Sequence, residues 1–186
     1  MLIVDEEDLG AAWESTLSDT LLGQGDNATV HSVSVHGKEF ALKYRTKEMP
    51  LKEMICKLKT QMEIQHIGGV VVDEGVIRRS DGEIDRRLTL QMRVPHDAKQ
   101  LADVHDVVEQ ERVKDAASKI MEKVHGKNVV HRDLSHYNIM AMPGSIPSEV
   151  WIIDWDDAQG ERCDAGPNAE KPRQQSKKHA KPNLYS

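Results

Sequence analysis

The stretch HRDLSHYNIM, residues 131–140, sets an aspartate, Asp133, five residues before an amide, Asn138. An aspartate exposed on a loop can take the proton of a hydroxyl nucleophile, and an amide oxygen can coordinate a metal ion without adding negative charge. Asp133 and Asn138 therefore read as a catalytic pair, with Asn138 a metal ligand as well. The segment VWIIDWDDA adds Asp154 at the end of an apolar strand over residues 150–153, where a carboxylate can bind Mg2+ bridging nucleotide phosphates. Upstream, LLGQGDNATV places Gly23 and Gly25 in a turn between strands, so backbone amides can approach a phosphate with no Cβ in the way. FALKY then puts Lys43 on the second strand, facing away from Leu42 and Tyr44, where an ammonium can neutralise phosphate charge. These signals differ in weight. A glycine pair between strands is usually just a turn and a strand lysine usually a solvated side chain, whereas four fixed residue types in the order HRDLxxxN seldom arise together by accident.

The elements that must hold these residues are legible in the apolar pattern. Val33 and Val35 alternate before a turn at His36-Gly37, and Phe40, Leu42 and Tyr44 alternate after it, so residues 29–44 read as a hairpin. Pro50 opens a helix on which Leu51, Met54, Ile55, Leu58 and Met62 form one stripe facing a core. A second hairpin runs from VVVDEGVI through Asp81-Gly82 to LTLQMRV, where Leu88, Leu90, Met92 and Val94 share a face. After Pro95 the period turns helical, with Val113, Ala116, Ala117, Ile120, Met121 and Val124 on one stripe, and short strands flank the loop at 131–140. The class expected is α+β, with an antiparallel sheet and one helix in front and a mainly helical back half.

With loop, lysine and glycines in this order, the sequence resembles a eukaryotic-type protein kinase and, more broadly, the protein-kinase-like superfamily, over residues 20–158. The resemblance implies a two-lobed fold: an N-lobe over 20–94 and a reduced helical C-lobe over 95–160 carrying the catalytic and metal-binding loops, after an N-terminal extension over 1–19; the polar stretch over 161–186, with no apolar pattern, is expected to be a disordered tail. It implies that Leu22, Gly23, Gly25 and Val30 form the glycine-rich loop, that Lys43 holds the α and β phosphates of ATP, that Asp133 is the base, and that Asn138 and Asp154 hold Mg2+. His131 matches the structural histidine, Arg132 the arginine that reads an activation-loop phosphate, and residues 93–97 the hinge beneath adenine. The function implied is ATP- and Mg2+-dependent phosphoryl transfer of the protein serine/threonine type. The departures point elsewhere. Ala28 stands for the third glycine, Ser135 for the lysine that steadies the transferred phosphate, and Asp154-Trp155-Asp156 is similar to small-molecule phosphotransferases of the aminoglycoside and choline kinase type. The residues after Ala158 show no activation segment or Ala-Pro-Glu motif, so a small-molecule kinase and a pseudokinase acting as a binding module stay open beside the protein kinase. Either Glu53 or Glu63 is expected to pair with Lys43.

Bulk properties bound the partners. Lysine and arginine total 25 against 31 acidic residues, for a net charge of −6, which argues against a nucleic-acid-coating role. No apolar run approaches spanning length and the start is not a signal peptide, so a cytoplasmic protein with no membrane partner is expected. The partner expected is a protein or small-molecule hydroxyl acceptor, with a partner or dimer covering the short C-lobe. Cys56 and Cys163 lack metal-ligand spacing, and free thiols are expected.

Overall fold

The computed structural model describes residues 1–9, 20–144 and 149–160. Six strands, β1 (Leu2–Asp5), β2 (Leu21–Gln24), β3 (Ala28–Val35), β4 (Lys38–Arg45), β5 (Asp73–Arg78) and β6 (Ile84–Met92), form one sheet in the order β1-β5-β6-β4-β3-β2. It is antiparallel except at its edge, where β1 runs parallel to β5. Both expected hairpins are present, turning at Gly37 and Gly82, each with the positive φ such turns require. The edge strand β1 falls in the N-terminal extension, where the sequence offers too short an apolar run to announce a strand. Residues 10–19 of that extension and the tail at 161–186 lie outside the described residues.

Alternation along β4 divides the sheet into two unlike faces. Phe40, Leu42 and Tyr44 point into a core with Val4, Leu9, Val35, Ile77, Leu88 and Leu90, while Ala41, Lys43 and Arg45 point the other way. On that second face lies helix α1 (Leu51–Ile64), whose Met54 and Leu58 pack on Val76. The expected stripe is rotated: Leu51, Ile55 and Met62 are exposed, and Met54, Lys57, Leu58, Gln61 and Ile64 are buried. Polar partners on the sheet decide this, because they give Lys57 and Gln61 a buried seat that apolarity alone does not predict.

Between residues 95 and 160 the expectation of a mainly helical half gives way to one α-helix and short strands. Helix α2 (Val107–His125) is capped by the Asp106 carboxylate, which accepts from Glu109 N at 2.7 Å. It buries all six residues of the anticipated stripe. Around it lie β7 (Lys99–Gln100), β8 (Val129–Val130), β9 (Ile139–Ala141), β10 (Val150–Ile152) and β11 (Gln159–Gly160). β10, β9 and β7 form one small sheet, and β8 pairs with β11. This second core also takes Ile64, Val70 and Val72 from the segment between α1 and β5. That segment is stitched to β10 by Val71 N to Ile152 O at 3.0 Å and Ile152 N to Gly69 O at 2.7 Å. Gly69 has φ +87°, and a Cβ there would sit 2.7 Å from Val150 O and collide with Ile120, so no larger residue fits this crossing. The strand that leads to Asp154 is thereby tied to the segment that enters the front sheet at β5. Cys56 on α1 is disulfide-bonded, which corrects the expectation of free thiols. Pairing depends on where the fold brings two Cβ atoms, which spacing in sequence does not reveal.

Candidate functional site

Strand register assembles the first part of the site. Gly23 pairs with Val30, Val30 with Lys43, and Lys43 with Thr89, so three of the expected nucleotide residues form one row across β2, β3 and β4. Residues directly opposite in antiparallel strands share a face, which puts Val30 and Lys43 together. Gly23 lies in β2 rather than in the turn, and Leu22 is the irregular residue where the β2–β3 register shifts. Gly25 is in the turn, its N–H donating to Ala28 O at 2.9 Å. Neither glycine has a left-handed φ; a Cβ at Gly23 would meet nothing within 4 Å, and one at Gly25 only Ala28 O at 3.8 Å. Internal packing gives no reason for either glycine.

The second part is built on two strand ends. Ile139 pairs with Ile152 across β9 and β10, and Ile153 N donates to Asn138 O at 3.0 Å, so Asn138 and Asp154 leave one small sheet side by side. Asn138 Nδ2 donates to Asp133 O at 2.8 Å and to Asp133 Oδ2 at 3.3 Å. Buried His131 ties the loops together: Nε2 donates to Ile153 O at 2.9 Å while Nδ1 accepts from Asp133 N at 3.4 Å. Burial pushes the His131 pKa down, more than the Ile153 carbonyl raises it, so the ring is neutral in the form these bonds require. Trp155 is buried, packs its ring 4.4 Å from that of His131, and donates Nε1 to Ile152 O at 3.0 Å. Two of the four non-glycine residues with positive φ among those described are Arg132 (69°) and Asp154 (62°), and such strain gathers where function demands it. Asp133 itself is exposed. Arg132 is exposed too and donates to Gln159 Oε1 at 3.2 Å.

The two parts meet at Lys43. Its Nζ stands 2.5 Å from Asp154 Oδ1 and 2.9 Å from Asp156 Oδ2. Burial works to lower the Lys43 pKa, but Asp156 and then Asp154 outweigh it and hold the ammonium above its ordinary value. Asp156 also pairs with Arg45 at 3.0 Å and with Lys57 from α1. Behind it, the fully buried Asp73 carboxylate meets Lys57 at 2.6 Å, Arg45 at 3.5 Å and Gln91 Nε2 at 2.7 Å, while Asp73 N donates to Gln61 Oε1 at 2.7 Å. Burial opposes ionisation of both carboxyls. Lys57 and its fellow cations win, and both stay below the usual range. Three cations and three carboxylates thus close a charge-balanced cluster between sheet, helix and the Asp154–Asp156 turn.

Of the expected residues, Gly23, Val30, Lys43, Asp154, Asn138 and Asp133 are joined by this chain of contacts, whereas Leu22 falls at the β2–β3 register shift and Gly25 in the turn. Glu53 is exposed, and Glu63 lines a cavity with Lys59, Thr60 and Val129; the side chain that α1 sends toward the cluster is Lys57. The sequence reading missed Arg45, Lys57, Asp73 and the pairing of Asp156. The available signals were Lys43 and Arg45 two apart on a strand, and Lys57 and Gln61 four apart on a helix.

A RIO domain model matches residues 84–170. RIO kinases are atypical protein kinases within the protein-kinase-like superfamily, so the match supports the kinase-like reading and points to the ATP-binding phosphotransferase class. The RIO match takes in Asp133, Asn138 and Asp154 and leaves the glycine row and Lys43 outside it. No curated protein matches the chain. No described helix is long and apolar enough to cross a membrane.

Proposed function

We propose that this chain is an ATP- and Mg2+-dependent phosphotransferase of the atypical protein kinase type, with a protein serine or threonine hydroxyl as acceptor and Asp133 as the base. The observation that carries the proposal is the 2.5 Å pairing of Lys43 with Asp154 across 111 residues of sequence, which joins the glycine row to the loop pair. The nucleotide lies against the row Gly23–Val30–Lys43, beneath two glycines whose open Cβ positions leave room for a ligand to approach the backbone closely. The front sheet and the α2 core act as the two lobes of the kinase-like fold, with residues 93–97 as the connection between them.

The donor set fits Mg2+. Among the described residues no group of three or more His, Cys, Asp and Glu is placed to hold a metal, so Asp154 and Asn138 would supply the protein ligands and phosphate oxygens and water the rest, as this ion prefers. When bound, the metal neutralises charge on the transferred phosphate. Lys43 orients the phosphates. Asp133 accepts the acceptor's proton, held in place by the two Asn138 hydrogen bonds and by His131. A small-molecule acceptor is the second reading, favoured by the second carboxylate of the Asp154-Trp155-Asp156 triplet, which lies in the site rather than in solvent.

A thermal-shift titration with ATP, with and without Mg2+, tests nucleotide binding, because a ligand of the folded form must raise its stability. A metal-dependent rise is expected, and no rise at millimolar ATP would end the proposal. Labelled ATP with panels of protein and small-molecule acceptors then decides between the two readings.

A further inference from the structure

We infer that Asp156 is the positioning residue for Lys43, supplying from the Asp154–Asp156 turn the carboxylate that helix α1 does not. The inference rests on the reading of Lys43 as the phosphate-binding lysine. A buried ammonium that must present itself to phosphates needs an anion at its side that stays there when the ligand arrives. Helix α1 contributes a cation at the cluster, Lys57, so the anion has to come from elsewhere.

Two carboxylates touch Lys43, and they are held differently. The Asp154 side chain is 42% exposed and has Lys43 as its ion-pair partner, so it can turn toward a metal. The Asp156 side chain is 26% exposed and is gripped by Arg45 through both oxygens, at 3.0 and 3.2 Å, and by Lys57. Those two cations are fastened from behind by Asp73, whose own position is set by Gln91 and Gln61. Between the two aspartates, Trp155 is locked under His131, which fixes the turn. When Asp154 serves a metal, Asp156 remains as the partner that the packing does not let go. Lys57 is then an inverted counterpart to a helix carboxylate: it holds Asp156, and Asp156 holds Lys43.

The test compares MgATP with adenosine, which lacks phosphates, by equilibrium binding to full-length chains. Asp156→Asn should weaken MgATP by about tenfold or more and leave adenosine nearly unchanged, and in a Lys43→Met background it should add nothing. Equal losses for both ligands, or additive losses with Lys43→Met, would overturn the inference, since a merely structural residue acts that way. Because Asp156→Asn leaves an excess buried cation and can unfold the chain, the balanced pair Asp156→Asn with Lys57→Met is measured alongside it, with the same selective loss expected. Should Lys43→Met bind MgATP as the wild type does, the reading of the site fails. Should it weaken MgATP while the balanced pair does not, only the role of Asp156 fails.

Discussion

Asn138 turns its side-chain Nδ2 on one residue twice over, donating to the backbone carbonyl of Asp133 at 2.8 Å and to its carboxylate at 3.3 Å. The amide oxygen takes part in neither bond, so under the proposed function one side chain would both steady the base and offer an oxygen to the ion. Asp133 and Asn138 are thus one mechanical unit, while Lys43 and Asp154 form another.

Asp133→Asn keeps the shape of the loop and removes the base. Phosphoryl transfer should fall by roughly 10² or more with ATP affinity little changed. Parallel turnover and binding measurements check this, and unchanged transfer would remove Asp133 from the role.

Asp154→Asn removes a ligand charge and one partner of Lys43. Mg2+-dependent nucleotide binding should weaken along with turnover, and raised Mg2+ should restore part of it. Binding that stays equally metal-dependent would place the ion elsewhere.

Glycine substitutions should separate ligand approach from architecture. Gly23→Ala meets open space, so stability should shift by no more than about 0.5 kcal/mol while ATP affinity drops. Gly69→Ala forces a left-handed φ and a collision with Val150 O, so it should lose about 1–3 kcal/mol or more. Denaturant midpoints and ATP titrations on both variants provide the comparison.

Asp73 is the buried root of the charge cluster. Asp73→Ala strands Lys57 and Arg45 and should destabilise the fold by about 3–5 kcal/mol, with a smaller loss when Lys57→Met is added. Urea unfolding of the single and double variants checks the sign, and two independent, additive losses would mean that the two side chains do not share an environment.

His131 makes stability depend on pH in a known direction. Its folded pKa is depressed below the ordinary value of 6.5 by burial, so below that pH the unfolded chain binds the extra proton more readily than the folded one. Stability from this group is full above the ordinary value and is lost as pH falls through it toward the lower folded value. Unfolding midpoints across this range should decline toward acid, and His131→Gln should flatten that decline.

The sequence by itself determined the parts that depend on local order. HRDLxxxN marked the loop, alternation marked the β3–β4 hairpin and hence that Lys43 faces away from Leu42 and Tyr44, and the 3.6-residue period marked the six buried residues of α2. These follow from short-range geometry, which repeats every two or four residues and leaves a trace in composition. Tertiary structure alone decided which charges meet. Lys57 on a helix, Arg45 on a strand, Asp73 at the start of another and Asp156 past a distant strand look like ordinary surface residues one by one. Lys57, Arg45 and Asp73 are buried, and Asp156 half-buried, because each finds the others, and a buried charge is tolerable only when its partners arrive from elsewhere in the fold. The same reason rotated α1 away from its apolar stripe and brought Lys57, rather than Glu53 or Glu63, to the cluster around Lys43.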